Sequence, residues 1–90
     1  MPSHAAPLRD IRFCLTEYLD PARLTALPGC AEMTPDLVDP VLEEAAKLCQ
    51  EVLFPLNRSG DEEGCTIANG AVRTPQGFPE AYKAFVEGGW

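Results

Sequence analysis

The sequence predicts a mainly α-helical chain with one short β-hairpin near residues 65–73, on three observations. Across residues 34–64, apolar side chains fall at Leu37/Val38, Val41/Leu42, Ala45, Leu48/Cys49, Val52/Leu53 and Leu56, the three-and-four spacing of a single helical face. Asp39, Glu43, Glu44, Lys47, Gln50 and Glu51 occupy the other side. Segments 7–19 and 79–87 repeat the helical spacing on a smaller scale, and only 65–73 has the composition of paired strands. A helix as amphipathic as the central one needs a broad apolar surface to lie against, and 90 residues offer little of it. The expectation is therefore a part of something larger.

Taken in order, residues 1–6 are expected to form a disordered tail and 7–90 a partial helical domain. Over 7–19, Leu8, Ile11, Leu15 and Tyr18/Leu19 share a face; Pro7 suits a first turn, and Asp10 lies near the positive end of the helix dipole. Asp20-Pro21 stops this helix, because a residue before proline avoids helical angles, and 21–27 is left as one further turn closed by Pro28-Gly29. The central helix begins with Thr34 as N-cap, Pro35 at the first position and Asp36 in the first turn. Pro40 complicates it: proline inside a helix loses one hydrogen bond and crowds the carbonyl of Asp36, costing ~3 kcal/mol. Two arrangements stay open, a separate turn over 34–39 with a second start at Asp39-Pro40, or one helix that bends. Pro55 poses the same difficulty at the far end. Glu43 and Lys47 are spaced for an i,i+4 ion pair worth ~0.3–0.5 kcal/mol.

Asn69-Gly70, between two short β-prone runs, suits a two-residue hairpin turn in which both central positions take positive φ. Residues 74–77 make a turn, and 79–87 the last helix, with Phe78, Ala81, Tyr82, Phe85 and Val86 toward a partner surface. Gly88-Gly89 ends it, leaving Trp90 with nothing following to pack around it.

Seven basic side chains against fourteen acidic ones give a net charge of −7. Such a surface repels phosphate backbones, which argues against a nucleic-acid partner. No apolar run approaches the roughly 18 residues of a membrane span, and the first ten residues lack the apolar core of a secretory signal. A cytoplasmic protein with no membrane partner is expected. Cys14, Cys30, Cys49 and Cys65 are dispersed, with no C-x-x-C pair, and His4 is the lone histidine. Zinc ligands come in close pairs, so free thiols are expected and no metal site is, with Cys14 and Cys49 acting as small hydrophobes among apolar neighbours.

Catalytic groups are sought in vain. Glu43 and Glu44 are adjacent on a helix and point apart, Glu51 stands alone, and Asp61-Glu62-Glu63 follows Gly60 in an expected exposed loop. General acid/base pairs must converge across a pocket, so these carboxylates read as solvated surface. Ser59 has no histidine but His4 to activate it, and none of the glycines forms a phosphate cradle. Tyr82, Phe85 and Trp90 could present a face to a flavin or acyl chain, but at helical spacing ordinary packing is the expectation.

The order of these features carries a resemblance. Ala6-Pro7-Leu8-Arg9-Asp10, then the helix with internal Pro55 running into PLNRSGDEEGC, then NGAVRTPQGFPEAYKAFVEGGW, resembles the N-terminal region of a flavin-dependent acyl-CoA dehydrogenase. It is most similar to the large bacterial members, over roughly residues 6–90. The resemblance implies the start of that family's N-terminal helical domain, with the central helix tolerating Pro55, reaching about Ser59 and breaking at Gly60. In the family a glutamate removes the α-proton of an acyl thioester while FAD takes the β-hydride. Both that base and most flavin contacts lie in regions this chain does not match, so no catalytic, cofactor-binding or metal residue is carried over. FAD is implied for the whole enzyme and not for this chain alone, and the −7 charge argues equally against its holding the phosphates of coenzyme A. The implied partner is the remainder of the dehydrogenase, its middle β-domain and C-terminal helical domain, met through Leu42, Leu48, Val52, Leu53 and the Tyr82/Phe85 face. The alternative from the residues alone is a free-standing acidic helical interaction module, self-associating through the same faces.

Overall fold

A computed structural model of the chain describes residues 4–90, so half of the tail expected over 1–6 lies outside the described residues. The class is mainly α with one antiparallel hairpin, and the helices take up 63% of the structure. The chain divides into two units, 1–47 and 48–90.

In the first unit, α1 (Leu8–Phe13) runs directly into a π-helical turn, Cys14–Tyr18, closed by the Leu19 amide donating to the Cys14 carbonyl at 2.8 Å. Leu19 is extended, as is Asp20 before its proline, and Asp20 caps the short α2 (Pro21–Thr25) by accepting from the Ala22 amide at 3.0 Å. Successive turns over 26–34, with Gly29 at φ 79°, lead to α3 (Pro35–Leu48). Of the two arrangements open at Pro40, the structure has one continuous α-helix that carries the proline in its second turn. The Thr34 carbonyl accepts from the Leu37 and Val38 amides, and Pro40 lies inside the element. Ala46 is the buried residue of α3.

The second unit begins with a π-helical turn, Cys49–Leu53, followed by a 3₁₀ turn, Phe54–Leu56, and α4 (Asn57–Glu63). This succession is how the backbone accommodates Pro55. Without an N–H, and with its ring crowding the carbonyl four residues back, a proline this far along a helix disturbs the α ladder; a wider turn before it and a tighter one across it relieve both problems. Helical conformation therefore persists past Ser59, and Gly60 is not the break. It lies inside α4, buried, and the helix ends at Gly64 with φ 68°. The reason is packing: a Cβ at position 60 would stand 2.6 Å from the Phe78 ring, so glycine here admits that ring against the helix. Asp61, Glu62 and Glu63 accordingly form the exposed last turn of α4 and not a loop.

β1 (Thr66–Ala68) and β2 (Ala71–Arg73) pair antiparallel with Ile67 opposite Val72, and Asn69 and Gly70 turn between them at φ 53° and 77°. The Pro75 carbonyl accepts from the Phe78 amide, with Gly77 at φ 90°, and α5 (Phe78–Glu87) follows, packed on the Cys49–Leu53 turn. A residue other than glycine at 77 would be strained twice, by its positive φ and by a Leu56 methyl 2.7 Å from its Cβ. Trp90 folds back over Gly88.

The core is small. Among the described residues Ala46 and Ala81, each 7% exposed, are buried together with Gly60 and Pro75, and no large side chain is fully enclosed.

Candidate docking surfaces

In the first unit, Leu15, Leu19, Leu24, Met33, Val38 and Leu42 line an apolar cavity of about 250 Å³. Its wall is held by Arg12, which also lines it. The guanidinium donates from Nε to Asp39 Oδ1 at 3.2 Å and from Nη2 to Glu43 Oε1 at 2.9 Å, clasping α1 onto α3. The i,i+4 pair expected from Glu43 to Lys47 is thus replaced: Glu43 takes Arg12, and Lys47 donates to Glu44 at 2.8 Å. A doubly held cation from another helix outcompetes a lysine that must order a long flexible stem. In the sequence Arg12 is one of several scattered arginines with nothing local to distinguish it. The signal was present in Asp39 and Glu43, two like charges one helical turn apart, which repel unless a cation sits between them.

In the second unit a more open groove of about 600 Å³ lies along α4 and α5, lined by Leu53, Leu56, Phe78, Ala81, Tyr82 and Phe85, with Asp61 among its polar lining. The Tyr82 and Phe85 rings stack with centroids 6.4 Å apart. Tyr82 is 69% exposed, and Phe85 and Trp90 also face solvent, so the ordinary packing expected of these three aromatics is not made within the chain. Leu53 is exposed as well, whereas Leu42, Leu48 and Val52 are already half-buried by their own neighbours.

The carboxylate clusters stay at the surface. Arg58 donates to Glu62 at 2.9 Å, and the Gln76 amide donates to Glu63 Oε2 at 2.6 Å. Ser59 bonds back to the Leu56 carbonyl at 3.5 Å. All four cysteines are free; Cys14, expected among apolar neighbours, is exposed where the wide π turn begins. Among the described residues no group of three or more His, Cys, Asp or Glu side chains could hold a metal ion.

Over nearly all of its length this helical chain with one hairpin is similar in sequence to acyl-CoA dehydrogenases. It is 36% identical over 88 residues to 3-methylmercaptopropionyl-CoA dehydrogenase of Ruegeria pomeroyi, a match covering 98% of this chain and 15% of that protein. Two butyryl-CoA dehydrogenases of Syntrophomonas wolfei are 35% identical over 86 residues and 31% over 85, matching 91% and 90% of this chain. The chain spans 14–15% of the length of these curated relatives. No protein-family model matches it.

The flavin implied by the family does not fit the residues present. Its pyrophosphate requires convergent N–H donors or uncommitted cations. The charged residues lining the two cavities are Asp20, Asp39 and Asp61 together with Arg12, whose guanidinium is already held by two carboxylates.

Proposed function

We propose that this chain is the N-terminal helical portion of a flavin-dependent acyl-CoA dehydrogenase, structural rather than catalytic by itself. It packs against the remainder of the enzyme and helps wall the cleft in which an acyl-CoA thioester is desaturated between its α and β carbons. The base and the flavin contacts belong to the rest of the polypeptide. The observation that carries this reading is the asymmetry of the match, 98% of this chain against 15% of the dehydrogenase.

Surface area supports it. The chain exposes 7245 Å², whereas two separate compact bodies of half its mass would expose roughly 6,300 Å² between them. Large apolar side chains stay exposed, at Leu53, Tyr82, Phe85 and Val86 among others, and such surface marks an interface. No helix among the described residues is long and apolar enough to cross a membrane. A cytoplasmic location is part of the proposal.

A denaturing blot of source-cell lysate, with an antibody raised against residues 34–64, tests the proposal. The expected band is several times heavier than the 9.8 kDa of this chain. A single band at 9.8 kDa would reject it in favour of a free-standing acidic interaction module.

A further inference from the structure

We infer that the groove of the second unit is closed by an apolar segment of the same dehydrogenase polypeptide, lying outside residues 1–90, that brings an arginine or lysine to Asp61. This rests on the reading of the chain as a dehydrogenase portion and specifies the chemistry of the contact.

The argument begins with the acidic run at the end of α4. Glu62 is held by Arg58 at 2.9 Å, and Glu63 accepts the Gln76 amide at 2.6 Å. The Asp61 carboxylate, between Gly60 and Glu62, has no hydrogen bond or ion pair among the described residues, and Asp61 alone of the three lines the groove. The remaining lining is mostly apolar, with Leu53, Leu56, Phe78, Ala81, Tyr82 and Phe85. An aromatic face this open calls for a cover, as its unburied rings show. A purely apolar cover would strip water from the Asp61 carboxylate and leave it unpaired, an arrangement strongly unfavourable in low dielectric. The occupant therefore supplies the missing cation. The second unit does not do so itself among the described residues: Arg58 is on Glu62, Lys83 is within 3.9 Å of Glu87, and Arg73, at the end of β2, does not line the groove. A second copy is a poor occupant, since each chain carries a charge of −7 and two would approach against that repulsion.

The test compares two contexts with the same substitution. Asp61 lies in the last turn of α4, where a negative charge opposes the helix dipole. In the isolated 90-residue chain, Asp61→Asn should leave helix content and unfolding unchanged or slightly improved. In the full-length polypeptide found by the antibody against 34–64, the same substitution should lower the thermal midpoint, and Asp61→Arg should lower it further. Glu51→Gln, a change at an exposed residue outside the groove, should alter neither. An unchanged or raised midpoint for Asp61→Asn in the full-length protein overturns the inference while leaving the dehydrogenase reading intact. Absence of any heavier polypeptide sinks that reading and the inference with it. Should the isolated chain dimerise in sedimentation equilibrium, and Tyr82→Asp return it to monomer, the groove takes a second copy and the inference is wrong.

Discussion

Arg12 decides the local geometry of the first unit. Its side chain is 33% exposed and bridges Asp39 and Glu43, which stand one turn apart on α3. An isolated surface pair contributes little, but here removing the cation also leaves two carboxylates repelling each other. Arg12→Ala should lower the stability of the full-length polypeptide by roughly 0.5–2 kcal/mol, measured as a shift in urea midpoint, and the shift should shrink in high salt. Arg12→Lys should restore only part of it, because a lysine lacks the planar fork that reaches two acceptors at once. An arginine variant series with no salt dependence would show that the residue acts through the packing of its stem.

At the scale of elements, the hairpin depends on its base. The strands are three residues each, Ile67 and Val72 are 78% and 64% exposed, and an isolated pair of this length is marginal. What steadies it is a bond beyond its ends, from the Gln76 amide to Glu63, joining the last turn of α4 to the turn before α5. Glu63→Ala should speed hydrogen exchange of the Gln76 amide on the order of tenfold, the loss expected for one charge-assisted bond near the surface. Amides in the middle of α5 should not change. The hairpin was legible from Asn69-Gly70 alone, since so few residues accept positive φ in succession. The continuation of helix through Gly60 was not. A glycine reads as a stop until the ring of Phe78, eighteen positions on, is known to need its space.

At the scale of the molecule, the described residues bury little, Ala46 and Ala81 with Gly60 and Pro75, and enclose no large side chain. Burial of that extent stabilises little against the entropy of ordering the backbone. The isolated chain should therefore unfold over a broad temperature range and bind a hydrophobic dye such as ANS at neutral pH. A sharp, cooperative transition whose midpoint rises with concentration would instead indicate a self-associating module.

The sequence by itself determined the helical class, the turn at Asn69-Gly70 and the likeness to acyl-CoA dehydrogenases, because local spacing, turn chemistry and the order of elements are written residue by residue. It also determined, through the breadth of the central apolar face, that more surface is presented than the chain can cover. Only the tertiary structure decided that Arg12 and not Lys47 takes Glu43, that α4 runs to Glu63, and that Asp61 alone of its run faces an apolar groove. Each of these depends on which distant residue arrives first at a given site. That competition among partners of unequal geometry and desolvation leaves no trace in local periodicity.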